Sequence, residues 1–471
     1  MKTIIILCLT CCSITCFSQK HDHPESNKWL IDSSLYLSDS TAVSNLVFSG
    51  DKAEIAFLDE NGNVSSELSV PGRVLGLSKW KGNVVAFYAD QWDTWKVIKN
   101  VHALLIDVKT RTIRQDQPLF TNPGKYFIIC QVRNDDQGNF GCFLIRTTFL
   151  ERADNSNRPK VHGLINGTSA LTAMYLSDDF HPVSRSLTTA LIRTVFFGSY
   201  VNRKGELAIL SYWNNQIVAE KFGTDGQLQK KATVSFTSPD PWGTDENLWA
   251  RGAFRPGSDN IMAFSVYMGV FVVDFGSEKA WALETPAAND KDYNDRINRD
   301  PEAKKTHYFK YAGSFKPDCL FFNGDTLIYS KEIQYWQTET NNTTRWMGAG
   351  TMVTVYDGKF QWIHNFYLDR YFEAFLDGGY RWSYKVQNGK LLAYGNAVTK
   401  PAHYENICYI ADLHTFTLGQ KTMDWGDVSH QNCSEPSSVL WFRDNLLKNP
   451  SMGLGFFGHH IESCLVKIAF P

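Results

Sequence analysis

Aromatic, arginine and acidic side chains recur close together at positions next to the ends of predicted strands. The ring faces of Trp and Tyr stack on sugars or peptide groups, while neighbouring Arg and carboxylate groups supply hydrogen bonds. We therefore predict that these residues bind a peptide, a glycan or a partner protein. The predicted ligand-binding residues are Trp92, Trp95, Asp240, Trp242, Asp245, Arg251, Trp336, Arg345, Trp346, Arg381 and Trp382.

Two of these carboxylates, Asp240 and Asp245, suit acid and base chemistry on a glycosidic bond. A carbohydrate-active hydrolase or lyase is therefore the alternative function. No Gly-x-Ser-x-Gly elbow and no His-Glu-x-x-His motif occurs in the sequence. We expect a non-catalytic binding or interaction protein. The alternative interpretation of the tryptophans is that most of them pack as core residues. A third hypothesis is a structural surface protein, which would be favoured if side chains fill the central channel.

Segment 287–305 is dense in charged residues and low in apolar ones, which predicts a long exposed loop or a short polar helix. Within it, Asp290, Asp292 and Asp295 have the alternate spacing that begins a calcium loop. Asp295 stands where such a loop needs Gly, however, and Pro301 stands where it needs a bidentate Glu. A solvated charged loop is therefore the preferred interpretation, calcium at the three aspartates is the alternative, and no cofactor is predicted.

Two of the ten cysteines, Cys130 and Cys142, lie symmetrically about Asp136 in a turn-like run. If that run closes a hairpin, the two thiols face each other across neighbouring strands. A disulfide is a reasonable expectation in an exported protein. Two free, buried thiols are the alternative, because a strict cross-strand disulfide is often strained. No Cys-x-x-Cys motif or Cys/His cluster predicts a metal site after residue 18.

The first 18 residues have the features of a secretory signal peptide. Lys2 precedes the apolar run Ile4–Phe17, and small residues predict cleavage between Ser18 and Gln19. The protein is therefore expected to be exported to the periplasm, the exterior or the cell surface. The segment 19–44 is predicted to be an N-terminal extension.

A lipid anchor is the alternative fate of the exported chain, since Cys11 or Cys16 would be available for acylation. Threonine precedes both cysteines, where a lipoprotein signal normally has Gly, Ala or Ser, so the anchor is disfavoured. The apolar run is also too short for a transmembrane helix, and no other segment predicts one.

The charge balance is nearly even, with 47 Lys and Arg against 49 Asp and Glu. Nucleic-acid binding requires clustered positive charge, so a nucleic-acid partner is not expected.

An internal repeat defines the organisation of the chain. Segment 81–88 (Lys-Gly-Asn-Val-Val-Ala-Phe-Tyr) is similar to segment 388–395 (Asn-Gly-Lys-Leu-Leu-Ala-Tyr-Gly). Asp107 and Asp412 then begin matching Asp-(Val/Leu)-x-Thr-x-Thr runs at nearly equal spacing. Two matched elements at matched spacing predict that these regions, 81–115 and 388–420, are structurally equivalent.

Weaker copies separate these two, each with short apolar runs and Asp-Gly or Asn-Gly turns that favour tight hairpins. The pattern recurs every ~50–65 residues, slightly longer than common propeller repeats. The predicted repeats span 45–70, 73–118, 125–185, 190–236, 247–285, 310–368 and 372–421.

This pattern resembles the β-propeller superfamily, in particular blades whose outer hairpin has Asp-x-x-Thr-x, as at 107–111 and 412–416. The resemblance implies an all-β protein of about seven four-stranded blades around a central channel, with six or eight blades also open. Residues 45–471 would form a single propeller domain in which the strands of 438–470 complete the first blade. A two-domain β-sandwich is the alternative architecture.

Overall fold

The computed structural model consists of β-strands and the turns between them in all the residues it describes. No helix in this part of the chain is long and apolar enough to cross a membrane. The described residues are 30–47, 53–90, 100–121, 126–149, 151–152, 159–160, 170–187, 195–213, 215–236, 250–266, 269–283, 310–311, 317–338, 344–373, 382–400, 403–422, 439–441, 445–448 and 466–469.

The strands form seven antiparallel four-stranded units, which we call blades one to seven. Blades one and two contain β1 (Leu30–Tyr36), β2 (Thr41–Val47), β3 (Ala53–Asp59), β4 (Val64–Val70), β5 (Arg73–Trp80), β6 (Asn83–Ala89), β7 (Asn100–Asp107) and β8 (Thr112–Thr121). Blades three and four contain β9 (Tyr126–Asn134), β10 (Phe140–Phe149), β13 (Ala170–Leu176), β14 (Pro182–Leu187), β15 (Val195–Val201), β16 (Leu207–Trp213), β17 (Gln216–Phe222) and β18 (Leu228–Ser235).

Blade five contains β19 (Arg251–Phe254), β20 (Ile261–Val266), β21 (Gly269–Asp274) and β22 (Lys279–Ala282). Blades six and seven contain β24 (Pro317–Asn323), β25 (Thr326–Thr338), β26 (Thr344–Tyr356), β27 (Trp362–Glu373), β28 (Ser383–Gln387), β29 (Lys390–Lys400), β30 (His403–Asp412) and β31 (Leu418–Thr422). A hairpin is inserted in blade three, formed by β11 (Glu151–Arg152) and β12 (Pro159–Lys160), and β23 (Lys310–Tyr311) pairs with β25.

From blade one to blade six, the first strand of each blade packs against the first strand of the next. The observed order of contact is β1 on β5, β5 on β9, β9 on β15, β15 on β19, and β19 on β24. Successive four-stranded meanders that meet along their first strands surround a common channel, which is the arrangement of a β-propeller. The prediction of an all-β propeller with about seven blades is therefore confirmed.

The first blade differs from the sequence-based expectation. Its strands β1 to β4 pair in chain order within residues 30–70, so β1 and part of β2 come from the predicted extension 19–44. The C-terminal strands β32 (Val439–Trp441), β33 (Asn445–Lys448) and β34 (Val466–Ala469) pair with one another. Completion of the first blade by the C-terminal strands is thus not shown. The strand β1 was not predicted because its serines interrupt the apolar pattern of a strand. One of them, Ser34, forms a hydrogen bond with the hydroxyl of Ser44 at 2.9 Å.

A hydrophobic core lies between each pair of successive blades from one to seven. In β6, Val84 and Ala86 face blade one, whereas Val85 and Phe87 face blade three. Both faces of a middle strand are therefore buried, which explains why these strands have continuous apolar runs. Each fully buried Val, Leu or Phe side chain stabilises the fold by ~1.5–3 kcal/mol.

The matched segments of the sequence repeat adopt the same turns. Lys81 and Gly82 have φ angles of 47° and 75°, and Asn388 and Gly389 have φ angles of 51° and 72°. Two successive positive φ angles define the tight hairpin turn that suits the twist of antiparallel strands. Each turn joins the first two strands of its blade, so the two segments occupy equivalent positions in blades two and seven.

Asp107 and Asp412 also have equivalent roles. The Oδ1 atom of Asp107 accepts the backbone N–H groups two and three residues later at 2.7 and 2.8 Å. The Oδ1 atom of Asp412 accepts the corresponding pair, both at 2.9 Å. Each turn ends in a residue with φ of 55°, Arg111 and Phe416. These hydrogen bonds hold the pKa of both aspartates below the usual value.

Connections in an antiparallel meander alternate between the two ends of the sheet. The first-to-second and third-to-fourth connections of every blade therefore lie at the same end, which we call the tight-turn face. The turns of successive blades contact each other there: the backbone N–H of Lys79 donates to the Gly138 carbonyl at 2.8 Å.

Candidate functional site

A cavity of about 570 Å³ opens where the channel meets the tight-turn face. It lies between the first strands of blades three, four and five, and the turns that follow those strands. Its volume is within the range of ~300–1,000 Å³ that small-ligand pockets have. The channel mouth is thus large enough for a small molecule or for a group on a larger ligand.

Arg133 supplies the most unusual charge in this cavity. Its Nε donates to the Ser199 hydroxyl of the next blade at 2.6 Å, and its Nη2 donates to the Gln131 side-chain oxygen. Both acceptors are neutral, and no carboxylate pairs with this guanidinium among the described residues. Burial lowers the pKa of Arg133, which reflects the cost of keeping a charge away from water.

Tyr200 lies next to Arg133 on the channel side of blade four, and it interacts electrostatically with both Arg133 and Arg251. Its ring occupies the space above two glycines. A Cβ atom at Gly252 would be 2.8 Å from Tyr200 Cζ, and one at Gly198 would be 2.8 Å from the Tyr200 hydroxyl. Only glycine leaves room for this ring, so the two positions hold Tyr200 over the cavity.

The other cations of the cavity have acidic partners. Arg203 donates from Nε to Asp136 at 2.8 Å, and Lys204 contacts Asp259 at 2.7 Å. Each of these ion pairs joins blade four to a neighbour, blade three in the first case and blade five in the second. The pairs stabilise the turns that form the cavity rim, and they leave Arg133 as the cation with neutral partners only.

Blade five is joined to blade six in the same way. Arg255 donates from Nε to Asp325 at 2.8 Å, and from Nη1 to the Gly358 carbonyl at 3.1 Å. The turns at the channel mouth are therefore linked from blade three to blade six by charged groups on neighbouring turns. This linkage fixes the position of the cavity wall.

A buried network supports the rim from behind. Lys221, whose side chain is 5% exposed, contacts Glu206 at 2.9 Å and the Asn260 side-chain oxygen at 2.9 Å. Asn202 donates to Glu206 at 2.7 Å and to the Asp259 carbonyl at 3.1 Å. A fully paired network of this kind rigidifies its surroundings. The first turns of blades four and five are thereby held together.

The carboxylates of the cavity are poorly suited to acid catalysis. The hydrogen bonds from Arg203 lower the pKa of Asp136, although burial acts in the opposite direction. Asp135 accepts the backbone N–H groups of Gln137 and Asn139, both at 2.8 Å, so it stabilises its own turn. A general acid needs a carboxyl group with a raised pKa. Asp136 lacks that property, and the Asp135 carboxylate is already engaged by the backbone of its own turn.

Most of the predicted ligand-binding residues lie outside the described residues. This holds for Trp92, Trp95, Asp240, Trp242, Asp245 and Arg381, and also for the calcium candidates Asp290, Asp292 and Asp295. Within the part of the chain that the structure describes, no group of three or more His, Cys, Asp or Glu side chains could hold a metal ion.

The structure positions four of the remaining candidates. Arg251 begins β19, interacts electrostatically with Tyr200 and directly precedes Gly252, which lines the cavity. Trp336 and Trp346 are directly opposed on β25 and β26, and Arg345 is the cross-strand partner of Gln337 in the same hairpin. The hairpin belongs to blade six. The predicted residues therefore fall into at least two separate groups.

Trp382 is a core residue, contrary to its prediction as a ligand-binding residue. It is 2% exposed and packs in the core between blades six and seven. Its indole N–H donates to the Thr351 hydroxyl at 2.9 Å, and its ring meets Tyr409 edge-on. A ligand in the channel cannot reach a side chain that is covered on all sides. The interpretation that tryptophans stack between blades is correct for this residue.

The predicted disulfide between Cys130 and Cys142 is not formed, because both cysteines are free. Cys130 pairs across the sheet with Ile145, whereas Cys142 pairs with Arg133. A register shift just before Cys142 moves the thiols apart, so that they face different neighbouring blades. Burial raises the pKa of both thiols to about 12.

Sequence reasoning missed Arg133, Ser199 and Tyr200. The available signal was an arginine at the end of the apolar strand β9, immediately before a turn rich in Asn and Asp. Its partner Ser199 is 66 residues further along the chain. A blade-by-blade alignment would have been needed to place both residues on first strands.

No protein-family model and no curated protein matches the chain in sequence. Among solved structures, the chain is similar to Sqt1 of Saccharomyces cerevisiae, with 10% identity over 94% of each chain and a TM-score of 0.45. It is similar to the WD40 domain of SCAP from fission yeast, with 7% identity over 94% of this chain and 93% of that chain, at a TM-score of 0.42. It is also similar to BamB from Moraxella catarrhalis, with 8% identity over 93% of this chain and 96% of that chain, at a TM-score of 0.42. Because these scores are low, the assignment to the β-propeller superfamily rests on the strand order and the packing of the first strands.

Proposed function

We propose that this β-propeller is an exported, non-catalytic binding protein that holds a peptide, a glycan or a partner protein at the channel mouth. The observation that carries the proposal is Arg133, a partly buried guanidinium with neutral partners that lines a ligand-sized cavity. Burying a charge without an ionic partner costs free energy. An acidic group on a ligand would offset that cost.

The arrangement around Arg133 favours binding over catalysis. The acidic residues beside it are engaged in ion pairs or turn hydrogen bonds, and the Arg203 contact lowers the pKa of Asp136. The cavity wall is held by links between blades. A preformed wall lowers the cost of ordering the site on binding.

The proposal of export rests on the signal-like residues 1–18. Expression of the full chain in a bacterial host should release a protein whose N-terminus is Gln19, outside the cytoplasm. N-terminal sequencing and mass spectrometry check this. An intact Met1 on cytoplasmic protein would contradict export, and a lipid-modified Cys11 or Cys16 would show the anchored form.

The binding function is tested with the exported chain on a glycan array and a peptide library, alongside a panel of chromogenic glycosides. We expect binding without turnover, and we expect Arg133→Gln to weaken the binding. Lys230→Gln is the matched control, because it removes the same charge from the outer strand of blade four. Turnover of a glycoside would overturn the non-catalytic function, and undiminished binding by Arg133→Gln would exclude this cavity.

A further inference from the structure

Only some of the N–H donors of the Arg133 guanidinium form hydrogen bonds within the described part of the protein. Nε bonds Ser199 and one N–H of Nη2 bonds Gln131, which fixes the plane of the group from two sides. Both N–H groups of Nη1 lack an acceptor among the described residues. A planar group that is oriented in this way, with free donors, matches the paired oxygens of a carboxylate.

Tyr200 supplies a second donor beside that guanidinium. The Tyr200 hydroxyl makes no hydrogen bond within the described part of the chain, and its ring is positioned by Gly198 and Gly252. Burial raises the pKa of Tyr200 to about 12, so the hydroxyl keeps its proton at neutral pH. A protonated phenol donates to an anion, as the guanidinium does.

We infer that the ligand presents a single carboxylate to Arg133, with the Tyr200 hydroxyl as the second donor. This inference rests on the proposed function, which leaves the chemistry of the ligand open. It defines the ligand class as compounds or peptides with one carboxylate and a small apolar body.

The charges around the cavity explain why one negative charge is preferred to two. Asp135, Asp136 and Asp259 lie along the same wall. Arg203 and Lys204 offset Asp136 and Asp259, and Arg255 is paired with Asp325, so Arg133 is the lining cation without an acidic partner among the described residues. A dianion such as a phosphate monoester would gain little from its second charge, because like charges nearby repel it.

The size and lining of the cavity determine the size and polarity of the part of the ligand beyond its carboxylate. Val132, Val201 and Phe254 are among the lining residues, next to polar ones. A cavity of about 570 Å³ has room for a ring-sized apolar group beside the carboxylate. An apolar body would bury surface against these side chains and add affinity to the ionic contact.

The test uses three matched probes on the whole exported chain: benzoate, its neutral analogue benzamide, and phenyl phosphate. Ligand-observed NMR measures their affinities for the wild type and for three variants. Arg133→Gln should weaken benzoate binding about 10- to 100-fold, since it removes a charge-assisted contact. Tyr200→Phe should weaken it about 3- to 10-fold through loss of one hydrogen bond. Lys230→Gln should leave it unchanged.

Tyr200→Phe keeps the ring that packs on the two glycines, so this variant is expected to fold. If Arg133→Gln fails to fold, the benzoate affinity of Tyr200→Phe tests the inference. Equal affinity for benzamide and benzoate, tighter binding of phenyl phosphate, or benzoate binding that neither site variant weakens would each overturn the inference. Absence of benzoate binding to the wild type would overturn it as well. The glycan array and peptide library test the proposed function separately. Binding of neutral ligands on the array would support a binding protein that has no carboxylate site.

Discussion

Arg203 in the first turn of blade four forms two hydrogen bonds with the carboxylate of Asp136 in the first turn of blade three. The pair is partly exposed, with side-chain exposures of 46% for Arg203 and 30% for Asp136. A paired geometry of this kind orients both side chains. It connects two blades at the rim of the cavity, next to the other links between neighbouring turns.

Removal of this pair should destabilise the protein modestly. A double-mutant cycle of Arg203→Gln and Asp136→Asn should give a coupling energy of ~0.5–1 kcal/mol, because solvent screens a partly exposed pair. Arg203 lowers the pKa of Asp136 in the folded protein, so this stabilisation is present at neutral pH. It should fade as the pH falls from about 4, the ordinary pKa of an aspartate in the unfolded chain, through the lower pKa that Asp136 has in the folded protein. Urea unfolding at pH 7 and pH 3 measures it, and a coupling that grows on acidification would contradict the assignment.

Trp382 should contribute to stability and leave ligand binding unchanged. Trp382→Ala removes a side chain that is 2% exposed, and such a cavity costs ~3–5 kcal/mol. Trp382→Phe should cost less, about 1–3 kcal/mol, chiefly by leaving the buried Thr351 hydroxyl without its donor. Thr351→Val in the Trp382→Phe background should recover part of this loss. Denaturant unfolding measures the effects, and impaired ligand binding by folded Trp382→Phe would restore Trp382 as a ligand-binding residue.

The blades were predictable because their turns depend on local chemistry. Both turns need positive φ at two successive positions, and Gly82, Asn388 and Gly389 are residue types that adopt it readily. The Asp107 and Asp412 turns are likewise built from hydrogen bonds within a few residues. Sequence similarity between the two segments therefore predicted structural equivalence correctly.

The site was not predictable, because its properties depend on distant residues. The role of Arg133 depends on Ser199 and Tyr200 in the next blade, and nothing near Arg133 in sequence indicates them. Trp382 was misassigned for the same reason, since its hydrogen-bond partner Thr351 lies 31 residues earlier. Whether a tryptophan is buried depends on how neighbouring blades pack, which the local sequence does not indicate.

Cys130 and Cys142 should remain reduced in the exported protein. They face different sides of blade three, and burial raises the pKa of both thiols to about 12. Thiolates are the reactive form, so neither thiol should react with iodoacetamide at pH 8 while the protein is folded. Both should react after unfolding without a reductant. Peptide mass spectrometry checks this, and a requirement for reduction before alkylation of Cys130 and Cys142 would show a disulfide.

Lys331 should destabilise the fold at neutral pH. It is 4% exposed on β25 of blade six, and no ion pair or hydrogen bond of its amine occurs among the described residues. Burial alone lowers its pKa to about 8. The ammonium group must therefore be desolvated, or lose its proton, when the protein folds. Lys331→Met keeps an unbranched apolar side chain and should stabilise the protein by ~1–3 kcal/mol at pH 7.

This stabilisation should depend on pH with a defined sign. The folded pKa of about 8 is below the ordinary value of ~10.4, so the unfolded chain binds more protons between these limits. Wild-type stability therefore rises with pH in this window relative to Lys331→Met, and the advantage of the variant shrinks near pH 10. Urea unfolding at pH 7 and pH 10 measures the difference, with Lys109→Met on an exposed turn as the control. A variant that is less stable than the wild type at pH 7 would show that Lys331 has a favourable partner.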